Sequence, residues 1–116
     1  MTTVLPTWSG RSQFRYGGCV TSGTEIQYGD KFRFKIKVGA GSYLALLKTF
    51  AGQEVPIGTS RTALPANSVG AWLKANVSQT ALASYVGPIL IQEGYAKRGR
   101  ESDLIQFNPG TRTIRV

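Results

Sequence analysis

Histidine is absent from this chain, and cysteine and methionine occur once each, as Cys19 and Met1. Without histidine the chain has no Ser-His or Cys-His catalytic pair and no His-ligated metal site. A single cysteine forms no intrachain disulfide and no zinc cluster. We therefore expect no metal and no cofactor, and we interpret Cys19 as a small residue that is buried or half-buried.

Carboxylates are scarce as well, since six Asp and Glu stand against fourteen Lys and Arg, for a net charge of +8. A metal-dependent nuclease needs an acidic residue followed by Asp-x-Lys or Glu-x-Lys on a strand. Asp30-Lys31 lacks the spacer, and no Glu-x-Lys occurs. Gly39-Ala40-Gly41 lacks the later glycine and the Lys-Ser/Thr end of a phosphate-binding loop. We therefore predict a protein without catalysis.

Long apolar runs are missing too. No stretch approaches the roughly 20 residues that span a bilayer, and residues 1–10 lack the basic and apolar regions of a signal peptide. We expect a cytoplasmic protein without a membrane partner. In a cytoplasm, such a surplus of cations predicts a polyanionic partner, most often nucleic acid.

The 116 residues, 41% of them hydrophobic, suffice for one core, so we predict a single domain over residues 1–116. Residues 2–18 are predicted to be irregular, and Glu25–Tyr28 to be a short strand. The clearest pattern is the alternation of apolar and basic residues in Lys31–Val38, which predicts a half-buried strand. Ser42–Phe50 is predicted to be a central strand, and Val55–Ile57 an edge strand because it contains Pro56.

The pattern changes to helical spacing after Leu64. Asn67 or Ser68 is suited to cap a helix that buries Val69, Trp72, Leu73 and Val77 on one face. A second helical stretch, from about Ser78 to Gly94, contains Gly87-Pro88, which either kinks it or starts a new helix. Leu104–Phe107 and Arg112–Val116 are predicted to form a closing hairpin. The fold class is therefore α+β, mainly an antiparallel open β-barrel with two short helices.

Four basic segments are candidates for binding nucleic acid. The first is the cationic face of the predicted Lys31–Val38 strand. The second is the loop after Tyr95, and the third lies near the N-terminus, where arginines interleave with Trp8, Phe14 and Tyr16. The fourth is a hydroxyl-rich loop around residue 61. Together they supply ten candidate side chains: Arg11, Arg15, Lys31, Arg33, Lys35, Lys37, Arg61, Lys97, Arg98 and Arg100.

Each segment also has a plain structural interpretation. A basic strand face can simply be solvated, and edge lysines discourage the pairing of sheets. The basic loops can be ordinary solvated loops. The aromatic rings of Trp8, Phe14 and Tyr16 can attach the N-terminal segment to the core instead of stacking on bases.

The second half of the chain resembles a known family. Val69-Gly70-Ala71-Trp72-Leu73-Lys74 resembles a helix start in the C-terminal domains of phospholipase-D-type restriction endonucleases. Tyr95 followed by Gly99–Phe107 resembles their Tyr-Gly-Arg-x-Asp-apolar-x-Phe stretch, with residues 96–98 as an insertion, and 111–116 as the return strand. The resemblance covers about residues 30–116. It implies the B3-like DNA-binding pseudobarrel, which grips duplex DNA with two loop arms, without the nuclease domain.

Three functions follow as hypotheses. The first is a DNA-binding domain that holds duplex DNA through basic loops and a basic strand face, with a steep salt dependence. The second is binding of RNA or single-stranded DNA, with aromatic rings as stacking platforms. A regular strand would place Phe32 and Phe34 opposite the cations, which argues against this second hypothesis. The third is a protein-interaction module with an acidic partner.

Overall fold

The computed structural model describes residues 2–60 and 62–109, and this part of the chain has the predicted α+β class. It contains two antiparallel sheets and three α-helices, one more than the sequence predicts. The elements are β1 (Thr2–Pro6), β2 (Gln13–Cys19), β3 (Gly23–Tyr28), β4 (Phe34–Val38), α1 (Ala40–Phe50), β5 (Glu54–Pro56), α2 (Val69–Asn76), α3 (Ala83–Gln92), β6 (Ala96–Arg98) and β7 (Leu104–Phe107).

The first sheet is an antiparallel meander in the order β1-β2-β3-β4, so β1 and β4 are its open edges. The second sheet has the order β5-β7-β6. The strands predicted at residues 25–28, 55–57 and 104–107 are confirmed as β3, β5 and β7, apart from small shifts in their ends. No closed barrel occurs in the described residues, and the open barrel stays a prediction. The predicted return strand at residues 112–116 lies outside the described residues.

The N-terminal segment is ordered into β1 and β2, so the prediction of an irregular stretch over residues 2–18 is wrong. Phe14 and Tyr16 are buried, whereas Gln13 is exposed and Arg15 half-buried. This is the alternation of a half-buried strand. It is only four residues long before Gly17-Gly18, which is too short for the pattern to stand out from its surroundings.

The segment predicted as the central strand, Ser42–Phe50, belongs instead to helix α1. Tyr43, Leu46 and Phe50 are buried, at spacings of three and four residues, while Leu44 is 56% exposed. Short apolar runs fit a strand and a helix equally well, and only burial distinguishes them. The predicted loop Gly39–Gly41 is accordingly the start of this helix, with Gly39 as its N-cap.

The strand predicted over Lys31–Val38 begins only at Phe34. Residues Asp30–Phe32 form a single turn in the left-handed region, in which Lys31 and Phe32 both have a φ of 55°. A positive φ is uncommon for residues other than glycine, so the turn breaks the alternation that the sequence suggests. Lys31 and Arg33 therefore lie outside the strand, and only Lys35 and Lys37 remain on its basic side.

Helices α2 and α3 carry the apolar faces that their spacing predicts. The Ser68 Oγ accepts a hydrogen bond from the Ala71 backbone N–H at 3.0 Å, which confirms Ser68 as the N-cap of α2. Helix α3 ends at Gly94 in a Schellman motif, in which the Tyr95 N–H donates to the Leu90 carbonyl. The core unites both sheets and all three helices through buried residues such as Phe14, Leu46, Val69, Leu90 and Ile105.

Gly87-Pro88 lies inside α3, at the place where Trp8 packs against this helix. Pro88 has no N–H to donate to the carbonyl of Ser84, four residues earlier. The Trp8 backbone N–H donates to that carbonyl instead, at 3.0 Å. A Cβ at Gly87 would lie 2.7 Å from the Trp8 Cε3 and 2.9 Å from the Ile57 Cδ1. Pro88 thus leaves the Ser84 carbonyl free to accept from Trp8, and Gly87 leaves space for the Trp8 ring.

Substitution of two leucines distinguishes helix from strand in the α1 segment. Leu44 and Leu46 would share a face in a strand, but in α1 Leu46 is 1% exposed and Leu44 is 56% exposed. We expect Leu46→Ala to lower the free energy of unfolding by about 2–5 kcal/mol, and Leu44→Ala to change it by less than about 0.5 kcal/mol. Urea titration measures both, and equal losses would contradict the helix.

Substitution of Gly87 tests the close contact between this residue and the Trp8 ring. We expect Gly87→Ala to destabilise the protein by about 1–3 kcal/mol through overpacking against the Trp8 ring, although alanine favours helix. The control is Gly41→Ala in α1, where a Cβ meets no atom within 4 Å and we expect a gain of about 0.5 kcal/mol. A gain at both positions, in thermal unfolding, would rule out the close contact at Gly87.

Candidate nucleic-acid interface

Two strands bring cations together on the outer face of the first sheet. Arg15 pairs with Gln27, and Gln27 pairs with Lys35, so the three residues form one row across β2, β3 and β4. Neighbouring strands lie about 4.8 Å apart, which separates Arg15 from Lys35 by about 10 Å. Lys37 follows on the same face, about 6.8 Å further along β4. We call Arg15, Gln27, Lys35 and Lys37 the basic face.

Arg15 is held in place by two contacts. Its Nε donates a hydrogen bond to Gln27 Oε1, and its guanidinium lies over the Phe32 ring, 4.9 Å from the ring centre. Such a contact is a cation–π interaction. Phe32 reaches this face because the positive-φ turn before β4 removes it from the strand alternation. The basic face therefore adjoins an aromatic ring as well as cations.

Lys35 and Lys37 are exposed on the same face. Glu25 pairs with Lys37 across the strands, but among residues 2–60 and 62–109 the one ion pair within 4.0 Å joins Arg100 to Glu54. Glu93 is engaged elsewhere, because it accepts hydrogen bonds from the Tyr16 hydroxyl at 2.7 Å and the Val20 N–H at 2.9 Å. The two lysine ammonium groups thus remain available to an anionic ligand.

The opposite side of β4 carries aromatic rings. Phe34 is 50% exposed and stacks on Tyr28, with ring centres 5.6 Å apart. The Arg33 guanidinium lies 5.6 Å from the centre of the Phe34 ring. Gly29 makes room for this ring, since a Cβ there would lie 2.5 Å from Phe34 Cδ2. The open edge of the first sheet thus has lysines on one side and an exposed phenylalanine on the other.

A cleft of about 430 Å³ continues from Tyr28 towards α3. The Tyr28 and Tyr85 rings contact each other, with their centres 5.0 Å apart and their planes at 31°. The remaining walls come from the loop after β5 and from the connection between α2 and α3. The cleft is lined by Tyr28, Thr59, Gln79, Thr80, Ala81, Ser84 and Tyr85. Because these residues are far apart in sequence, no local pattern predicts the cleft.

The second cluster of cations lies in β6 and directly after it, so the prediction of a loop after Tyr95 is wrong for Ala96–Arg98. Arg98 is bound to the N-terminal segment: its Nη2 donates to the Trp8 carbonyl at 2.8 Å, and its guanidinium lies 3.9 Å from the Trp8 ring centre. The Trp8 Nε1 in turn donates to the Ser102 carbonyl at 2.8 Å. These contacts give Arg98 a structural role in joining the second sheet to the loop between β1 and β2.

Arg100 is attached through its backbone more than through its side chain. Its N–H donates to Glu54 Oε2 at 2.6 Å, and its Nε donates to Oε1 at 3.2 Å. The backbone hydrogen bond, followed by the side-chain one, lowers the pKa of the Glu54 carboxyl. The Arg100 side chain is nonetheless 89% exposed.

The structure places the predicted site residues in two groups. Arg15, Lys31, Arg33, Lys35 and Lys37 belong to the first sheet and the turn before β4, whereas Lys97, Arg98 and Arg100 lie at β6. Arg11 lines a cleft of about 500 Å³ together with Arg98. Arg15 lies four positions after Arg11, so their Cα atoms are at most about 14 Å apart. Arg61 lies outside the described residues.

The aromatic residues near the N-terminus are core residues. Trp8, Phe14 and Tyr16 are each no more than 5% exposed, so the hypothesis that they stack on bases is wrong. Cys19, by contrast, is half-buried as predicted. Phe32, Gln27 and the cleft residues are the features that sequence reasoning missed. Phe32 and Phe34 did show an aromatic-basic pattern, but a regular strand would have separated the rings from the cations.

Comparison with known proteins finds no matching family model, curated protein or solved structure. In the part of the chain that the structure describes, no helix is both long and apolar enough to cross a bilayer. Nor do three or more Cys, Asp or Glu side chains in this part come together as a possible metal site. A functional proposal therefore depends on the cations, rings and clefts described above.

Neutralisation of two neighbouring cations tests whether Arg98 has a structural role at β6. We expect Arg98→Gln to lower the free energy of unfolding by about 1–3 kcal/mol, because it removes a charged hydrogen bond and a cation–π contact with Trp8. Lys97→Gln is the control, because Lys97 is exposed, and we expect less than about 0.5 kcal/mol. Urea unfolding followed by tryptophan fluorescence measures both. Equal stability of the two variants would contradict the structural role.

Proposed function

We propose that this protein is a non-catalytic domain that binds single-stranded nucleic acid along the open β4 edge of the first sheet. The observation that carries the proposal is the combination of cations on one side of this strand with the exposed Phe34 ring on the other. Lys35 and Lys37 point to one side, and Phe34, with Arg33 over its ring, lies on the other.

The local charge balance supports a phosphate ligand. Residues 13–38 contain five cations, Arg15, Lys31, Arg33, Lys35 and Lys37, against the two carboxylates of Glu25 and Asp30. Lys35 and Lys37 are close enough to contact successive phosphates of one strand. Binding would release the counterions that such phosphates condense, so affinity is expected to fall steeply with salt.

The aromatic rings favour a single strand over a duplex. Bases of a single strand are free to stack on exposed aromatic side chains and on arginine, whatever their sequence. Phe32 lies beneath Arg15 at the basic face, and Phe34 lies beneath Arg33 at the edge. Phe32 would lie opposite the cations only in a strand that started at Lys31, whereas β4 starts at Phe34.

Duplex DNA is the second candidate, and the cations around β6 favour it. Arg11 and Arg98 line one cleft, Arg100 is largely exposed, and together with the basic face they could flank a double helix. The resemblance to the B3-like pseudobarrel also supports this candidate, since that open barrel holds duplex DNA between two loop arms. An acidic protein partner would be favoured by binding to protein and none to nucleic acid.

Neutralisation of one lysine on the basic face tests the proposal. We expect Lys35→Gln to weaken binding of single-stranded oligonucleotides and to reduce the slope of log K against log salt by about 0.7, the share of one phosphate. The matched control is Lys48→Gln, which removes the same charge from an exposed position on α1, outside the basic face. We expect it to leave the slope unchanged.

Fluorescence anisotropy at several salt concentrations measures these slopes for DNA and RNA strands and for the corresponding duplex. If the duplex binds more tightly than the single strands, and Lys35→Gln weakens its binding in the same way, duplex DNA replaces single-stranded nucleic acid as the better candidate. If no oligonucleotide binds at about 50 mM salt, the nucleic-acid proposal is wrong and an acidic protein partner becomes the better hypothesis.

A further inference from the structure

We propose that the cleft lined by Tyr28, Gln79 and Tyr85 holds one unstacked nucleobase of the bound strand. This inference rests on the proposed function and adds a base site to the phosphate contacts of the basic face. The cleft volume of about 430 Å³ lies within the range of small-ligand pockets. Tyr28, which lines the cleft, also stacks on Phe34 at the open edge of the sheet.

The chemistry of the lining selects a planar, uncharged group. The lining side chains comprise two phenol rings, three hydroxyl groups, one amide and one methyl group, and none is charged at neutral pH. A phosphate or an ammonium group would therefore find no counter-charge among them. A nucleobase has a flat face that stacks on aromatic rings, and edges that exchange hydrogen bonds with amide and hydroxyl groups.

The polar groups converge on the cleft from three elements. Gln79 and Thr80 lie in the connection between α2 and α3, and Gln79 is exposed. Ser84 lies in the first turn of α3, and Thr59 follows β5. An amide presents both donors and an acceptor, so Gln79 can pair with a base edge in two directions.

The walls of the cleft are held by backbone hydrogen bonds. The Ile57 N–H donates to the Asp103 carbonyl at 2.8 Å, and the Gly70 N–H donates to the Ile57 carbonyl at 2.8 Å, which fixes the segment that leads to Thr59. The Thr80 N–H donates to Ser78 Oγ at 3.1 Å. Because these walls are already ordered, binding a ligand would cost little conformational entropy there.

The order of the Phe34, Tyr28 and Tyr85 rings indicates the path of a bound nucleic-acid strand. Ring centres step by 5.6 Å from Phe34 to Tyr28 and by 5.0 Å from Tyr28 to Tyr85. Phe34 is half exposed, while Tyr28 and Tyr85 are half-buried. A strand whose phosphates lie at Lys35 could therefore stack one base on Phe34 and place a neighbouring base in the cleft.

The test compares intact strands of about ten nucleotides with strands in which single positions are abasic. We expect Tyr28→Leu to weaken binding of the intact strand about fivefold or more, the contribution of one stacked base. We expect no change for the strand that is abasic at the cleft position, because the lost contact is already missing there. Tyr95→Leu is the control, since Tyr95 is half-buried and does not line the cleft.

Two further measurements do not depend on the stability of the tyrosine variant. Gln79→Ala changes an exposed side chain, and we expect it to alter the preference among homopolymeric strands, whereas Gln92→Ala, at an exposed position of α3, leaves the preference unchanged. In the wild-type protein, the NMR amide signals of Gln79, Thr80 and Ser84 should shift with the intact strand and not with the abasic strand.

The outcomes separate this inference from the proposed function. If intact and abasic strands bind equally to all variants while Lys35→Gln still lowers the salt slope, the base site is wrong and the phosphate contacts stand. If no strand binds to the wild-type protein, the proposed function is wrong and the base site is excluded with it.

Discussion

The positions of the two sheets and helix α3 relative to one another depend on the contacts of Trp8. The Trp8 backbone N–H donates to the Ser84 carbonyl, which has no helical donor because residue 88 is proline. The Trp8 ring packs against Gly87, which has no side chain. Arg98 covers the ring from the second sheet. Through its backbone and its ring, Trp8 thus joins the end of β1, helix α3 and the second sheet. Because α3 supplies Ser84 and Tyr85 to the cleft, the same contact also positions the cleft relative to β4.

Local chemistry in the sequence was enough to predict some elements. Ser68 caps α2 because a hydroxyl there suits the free N–H groups of a helix start, and β5 is an edge strand because Pro56 cannot donate to a neighbour. Segments whose apolar residues fit two periods were mispredicted. Tyr43, Leu46 and Phe50 define a helix only once the core that buries them is known.

The candidate site was predictable in its cations but not in its geometry. Lys35 and Lys37 lie on one face, as alternation requires. Arg15 joins them only through the pairing of β2, β3 and β4, which no local pattern encodes. Phe32 reaches the cations through two residues with positive φ, a conformation that the sequence Asp30-Lys31-Phe32 does not favour. Arg98 looked like a ligand contact because its partner, Trp8, is 90 residues away in sequence.

The division of charge around β4 indicates how affinity and selectivity could be separated in one small domain. Phosphates are identical along a strand, so contacts with Lys35 and Lys37 would provide affinity without information about sequence. The cleft has no charged lining residue, so whatever it binds must be recognised by shape, stacking and hydrogen bonds. Its contribution would then be nearly independent of salt, whereas that of the basic face would fall with salt. The ratio of affinities for two strands that differ only in the base held by the cleft should therefore stay nearly constant as the ionic strength increases, while both affinities fall.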